Sequence, residues 1–191
     1  MRAATEEFAE KGFVGARVAE IAARAGVNKQ LISYYFGGKE GLYRALADRW
    51  RSAEVAFNDA GASLDRLVAA YARASVEHHE LTRFMVWEGI TYGTGDEDPD
   101  EPGRTARMRE AVADFRRRRE AGELAADLDP DCMLLALLTA GAAPVLLPQM
   151  AASICGEPPD SAAFQSRYIE QLARLVRHLR EAPPPATGGS G

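Results

Sequence analysis

The sequence predicts an all-α protein in two parts, and three observations carry that expectation. Apolar residues recur at helical spacing along the chain, with no sustained strand-type alternation and no Asn-Gly or Asp-Gly hairpin signal. Glycine punctuation at Gly12, Gly26 and the Gly37-Gly38 pair cuts the first fifty residues into short helices, whereas later helical stretches run fifteen residues or more. Charge divides at the same place: residues 11–45 carry six basic groups against two acidic ones, yet the 191-residue chain has a net charge of −5.

Taken in order, helices are expected at 2–11, ended by Gly12, then at 18–25 and 29–35, and at 39–59 after the glycine pair. Longer ones follow at 63–80, 81–93, 104–121, 130–154 and 161–181. The helix at 104–121 holds the run Arg116 to Arg119, with Glu110, Asp114, Glu120 and Glu123 close enough for ion pairs, so it reads as a solvated face. Thr94 to Gly103 carries five carboxylates; Glu101 stands where a calcium loop requires glycine, so a solvated acidic loop is expected. The tail PPPATGGSG, residues 183–191, is expected to be disordered.

Composition excludes several classes. At 47% hydrophobic and 27% charged the chain is not wholly disordered. Two cysteines, Cys132 and Cys155, and three histidines support neither a disulfide scaffold nor a zinc site; no metal and no cofactor are expected, and a reducing compartment is the default. The start, MRAATEEFAEKGF, has no apolar run and is neither a signal nor a transit peptide, which favours a cytoplasmic protein. Cys132 to Gly156 spans 25 uncharged residues, enough to cross a bilayer, but Pro144 and Pro148 interrupt it and its flanks are acidic. It reads as a buried or interface helix, with no membrane partner. With pI near 5.3, any nucleic-acid function must sit on a local patch.

That patch has a definite pattern. In VAEIAARAGVNKQLISYYF, residues 18–36, Val18, Ile21, Ala22 and Ala25 share one face of a first helix. Gly26 can take the left-handed conformation after its last turn, and Asn28 can cap a second helix by accepting from its free N–H groups. Ala22, Gly26 and Ile32 give the spacing of a helix-turn-helix: a small residue at the crossing, glycine at the turn, an aliphatic holding the second helix down. Ile32 and Phe36 then face inward, and Lys29, Gln30, Leu31, Ser33 and Tyr34 project outward. In a major groove Gln30 can pair with adenine and Leu31 can meet a thymine methyl. Lys29, Ser33, Tyr34, Tyr35 and Lys39 suit phosphate oxygens; the competing reading, a core aromatic, is weaker for both tyrosines and weakest for Tyr34.

The segment from Phe8 to Leu46 resembles the TetR (tetracycline-repressor-like) family of bacterial transcriptional regulators. The resemblance lies in F-x-E-x-G-F at 8–13, V-x-x-I-A-x-x-A-G-V at 18–27 and Y-F-x-x-K-E-x-L-Y at 35–43. It implies a homodimer on a double-stranded DNA operator, with residues 1–46 as a three-helix DNA-binding domain and 47–182 as a helical bundle for ligand sensing and dimerisation. Arg17, Asn28, Lys29, Gln30, Leu31, Ser33, Tyr34, Tyr35 and Lys39 are the DNA-binding set it implies, and an unidentified small molecule is the effector. The sequence departs from the family at Ala16, commonly Thr and a helix cap, where Arg17 could substitute; at Gln30, commonly Gly; and at Ser33, commonly Tyr. The first helix begins at Met1 without a basic arm, consistent with a start upstream or a less well-packed domain.

Looser resemblance at 83–90 and 120–131 extends the match to a sensor domain. His78, Phe84, Met85, Trp87, Glu88, Tyr92, Met108 and Phe115 could line its pocket, though aromatics at helical spacing also serve as core. The dimer interface is expected on the uncharged helix, at Met133 and Leu137, and on the last helix, at Phe164, Tyr168, Leu172, Leu175 and Leu179, forming a four-helix bundle. On one continuous helix the two cysteines would lie about 34 Å apart, too far to pair. The competing classes are a small all-α enzyme, for which no nucleophile elbow, phosphate loop or metal motif is found, and a helical dimer that has lost DNA binding.

Overall fold

The computed structural model describes residues 1–57, 61–92 and 101–180, and the side chains of 50–57, 85, 87–92 and 101 are not among those described. The described residues form ten helices: α1 (Arg2–Gly15), α2 (Val18–Ala25), α3 (Lys29–Phe36), α4 (Lys39–Phe57), α5 (Leu64–Glu77), α6 (His79–Tyr92), α7 (Glu101–Glu120), α8 (Pro130–Leu146), α9 (Pro148–Cys155) and α10 (Ala162–His178). The chain is all-α, with an N-terminal helix-turn-helix domain and a C-terminal helical domain. The acidic loop expected at 94–103 lies almost wholly outside the described residues, and so does the tail.

Two helices differ from expectation. Helix α1 does not stop at Gly12; it kinks there, at φ 65° and ψ 178°, and resumes to Gly15. The expected helix at 130–154 is two helices meeting at 85°. Its break falls at Leu147 because the ring of Pro148 pushes the preceding residue out of helical conformation, and Pro148 itself then opens α9 at a position where no N–H is needed. Cys132 and Cys155 therefore sit on different helices, both exposed. No single described helix is long and apolar enough to cross a membrane.

Two cores organise the molecule. In the first, Ala4, Phe8, Ile21, Ile32, Tyr43 and Leu46 from α1–α4 bury together, and α6 adds Leu81 and Phe84. Phe84 is only 1% exposed and its ring lies 4.9 Å from Tyr43 and 5.9 Å from Phe8, so it belongs to the joint between the two parts and not to a pocket. The second core joins α5, α7, α8 and α10 through Val68, Phe115, Leu124, Leu137, Leu172 and Val176. Helices α5 and α8 approach closely at Gly141, where a Cβ would stand 2.7 Å from the Tyr71 ring.

This packing corrects several expected interface positions. Leu137, Phe164 and Leu172 are at most 5% exposed within one chain, while Met133 and Leu179 pack partly buried against the second core. The Tyr168 hydroxyl donates to the Ala140 carbonyl at 2.6 Å. The apolar face of α10 faces its own chain, because α5 and α8 lie against it and supply apolar partners first.

The arginine run is also only partly solvated. Arg116 and Arg117 pair at the surface with Asp131 and Asp114. Arg118 is buried: its Nε donates to Asp114 at 2.6 Å, and its Nη1 donates to the Ala62 carbonyl at 2.8 Å and to Glu123 at 3.2 Å. Glu123 in turn accepts from the Leu64 N–H at 2.6 Å, so a satisfied buried ion cluster ties the start of α5 to the end of α7.

Candidate functional site

Local capping chemistry sets the reading unit. After α2, Gly26 takes φ 67° and ψ 29°, a conformation that only glycine adopts without strain. Its N–H reaches the Ala23 carbonyl at 3.1 Å and the Val27 N–H reaches the Ala22 carbonyl at 3.0 Å, the two bonds of a Schellman ending. Two residues later the Asn28 Oδ1 accepts from the Gln30 N–H at 2.9 Å and caps α3. The three-residue connection therefore has a fixed geometry. Asn28 is thereby placed as a cap at the head of the reading helix.

Only Ile32 is buried on α3. Lys29, Gln30 and Ser33 are exposed, as are Leu31 at 45%, Tyr34 at 82% and Tyr35 at 72%. Tyr34 and Tyr35 pack edge to face at 5.1 Å in solvent, so neither is a core aromatic. Such a face makes sense for a helix that is covered by something else.

The basic patch is smaller than the sequence count suggests. Arg24 is held by Glu6, Glu7 and Glu10 at 3.2–3.5 Å, Lys11 by Glu7, and Arg44 by Glu40. Lys39, expected to be free for a phosphate, is turned inward: its ammonium donates to the Val14 carbonyl at 3.1 Å and lies 4.6 Å from the Phe13 ring centroid. Burial lowers its pKa below the ordinary lysine range. Its reach suits a brace between α4 and α1 better than a phosphate contact. Arg17 and Lys29 are exposed and make no ion pair among the described residues.

A cavity of about 340 Å³ opens between α5, α6, α7 and α8. Tyr71, Thr82, Val86 and Met108 line it, Arg104 and Arg107 enter from α7, and α8 supplies an apolar wall between positions 135 and 146. Met108 is the one expected pocket residue found on this wall among the described side chains. Phe115 is in the second core, and His78 faces a separate cavity of about 230 Å³ beside Arg2 and Arg49. The side chains of Trp87, Glu88 and Tyr92, and of Met85, lie outside the described residues. Arg104, Arg107, Thr82 and Tyr71 are not among the expected pocket residues, because which face of each helix borders the cavity depends on tertiary packing and carries no local sequence signal.

Comparison with known proteins places this geometry. Residues 1–46 match the family described as bacterial regulatory proteins, tetR family, and residues 63–175 match the tetracyclin repressor-like C-terminal domain. The chain belongs to the TetR family. A curated relative, the HTH-type transcriptional repressor SCO4008 of Streptomyces coelicolor, is 35% identical over 91% of both chains. The HTH-type transcriptional regulator RutR of Escherichia coli is 37% identical over 40% of this chain and 38% of its own. Among solved structures, SCO4942 of Streptomyces coelicolor superposes with a TM-score of 0.74 at 23% identity, covering 95% of this chain and 96% of that one. The ketosteroid transcriptional regulator KstR2 of Mycobacterium tuberculosis does so with a TM-score of 0.66 at 18% identity, over 95% and 93%; both share the fold. This TetR-family chain is accordingly a ligand-responsive, DNA-binding transcriptional regulator.

Proposed function

We propose that the regulator is a cytoplasmic homodimeric repressor that reads a two-fold symmetric operator and releases it when a small molecule fills the α5–α8 cavity. The observation that carries this reading is the outward face of α3, whose side chains apart from Ile32 and Phe36 are all solvent-exposed. In a major groove Gln30 meets an adenine edge and Leu31 a thymine methyl, while Arg17, Lys29, Ser33, Tyr34 and Tyr35 contact phosphates. Two such helices, related by the dimer axis, require half-sites about 34–36 Å apart or a multiple of that distance.

Gln30→Ala should cost about 1–3 kcal/mol on the selected operator and relax preference at one base pair. Retardation of operator and random duplexes at one fixed salt concentration checks it. Equal weakening on both would show that Gln30 does not read a base.

For the effector, the cavity favours a small, mostly apolar molecule with a hydrogen-bond acceptor, because guanidinium groups only donate. Release follows from α6, which turns Thr82 and Val86 to the cavity and Phe84 to the aromatic joint with α1 and α4. A molecule that displaces the first pair moves the third. A tenfold loss of operator affinity needs about 1.4 kcal/mol of differential binding. Met108→Trp, which fills the cavity, should hold a reporter gene repressed under growth conditions that derepress it with the parent protein. Equal derepression of the two would remove the cavity from the mechanism.

A further inference from the structure

Glu7 is the most deeply buried carboxylate among the described residues, with its side chain fully removed from water in the middle of α1. A buried charge is costly unless it is fully paired, and this one is. Lys11 Nζ lies 3.0 and 3.2 Å from its two oxygens, and Arg24 Nη2 lies 3.2 Å from Oε2. On the other side, the backbone N–H of Arg17 donates to Oε1 over 3.4 Å.

That last contact falls where local capping is missing. Arg17 opens α2 and makes no side-chain capping bond, and the buried Ala16 before it has no side-chain oxygen to offer. The first N–H groups of a helix need partners from outside the helix. Here a carboxylate ten residues upstream, on a different helix, supplies one. Arg24 stands in the last turn of the same α2, so the single Glu7 side chain grips α2 near both ends. Helix α2 in turn supports α3 through the fixed Gly26 connection.

We infer that Glu7 is a positioning residue for operator binding: it fixes the start of α2, and with it the exposed Arg17, at the angle at which Arg17 meets the DNA backbone. The inference rests on the assignment of Arg17 to a phosphate. Its test is a double-mutant cycle in operator retardation with melting curves taken in parallel. Glu7→Gln keeps the shape but removes the charge that Lys11 and Arg24 hold in place. It should weaken operator binding by about tenfold in the parent and by less than about twofold in the Arg17→Ala background. Glu7→Asp keeps the charge, withdraws the carboxylate by one methylene and supplies the same comparison if Glu7→Gln folds poorly.

Equal losses in both backgrounds, or a lower melting temperature with unchanged affinity, would reduce Glu7 to a purely structural ion cluster and overturn the inference alone. An Arg17→Ala protein that binds as tightly as the parent would instead overturn the phosphate assignment, and the inference with it.

Discussion

Truncation of Phe84 to alanine is expected to cost about 3–5 kcal/mol, a fall of roughly 6–20 °C in the unfolding midpoint. The side chain is 1% exposed and fills the space between Phe8, Tyr43 and the helix that carries it. Removing it leaves a cavity at the joint between the DNA-binding helices and the sensor, where aromatic rings from three helices meet. Phe84→Leu, which retains most of the volume, should lose far less stability. Thermal unfolding followed by circular dichroism checks both values. A midpoint within two or so degrees of the parent for Phe84→Ala would mean that α6 does not pack as described.

The second large effect concerns assembly. The large apolar side chains left exposed on α8–α10 and at the α8–α9 break are Leu135 at 69%, Leu147 at 51%, Met150 at 56%, Ile154 at 77% and Leu175 at 54%. Helix α10 is tied to α8 by the Tyr168–Ala140 bond and, at its end, to the segment before α8 by the Ala125 N–H, which donates to the Leu179 carbonyl. A charge at Leu175 and Ile154 together, as glutamates, should halve the mass in solution without unfolding the chain. Operator affinity should then fall by about 10²–10⁴-fold, because the second half-site no longer binds as an intramolecular event. Binding to a single half-site should be nearly unchanged. By contrast Leu172→Glu buries a charge in the second core and should unfold the protein, so it cannot report on the dimer. A monomeric double variant that holds the full operator as tightly as the parent would refute dimeric reading.

The helix-turn-helix was legible because its signals are local. Helix α2 falls on the expected 18–25, α3 extends one residue past the expected 29–35, and Gly26 and Asn28 act as their conformational preferences dictate. What depends on distant partners was not legible. Periodicity on α10 showed that Phe164 and Leu172 must be buried, but not whether their cover is the same chain or a second copy. The aromatic character of Phe84 and Phe115 suggested a pocket, yet rings of that size fill cores more often than they line cavities. Lys39 and Arg24 counted toward a basic patch because sequence shows charge without showing its partners; one braces α1 and the other is surrounded by carboxylates. The break at Leu147 could have been found, since Pro148 carries it, whereas the burial of Arg118 beside the exposed Arg116 and Arg117 and the half-buried Arg119 carries no sequence signal.

The sharp turn between α8 and α9 has a thermodynamic consequence. By folding back an uncharged stretch, it leaves Leu147, Met150 and Ile154 at the surface, where a lone chain must keep them in contact with water. If the proposed second chain covers them, it should stabilise the folded state by mass action, and the unfolding midpoint should rise with protein concentration. On the proposed dimeric reading, operator occupancy should then rise more steeply with protein concentration than a simple binding curve, an effect that traces to the bend at Pro148.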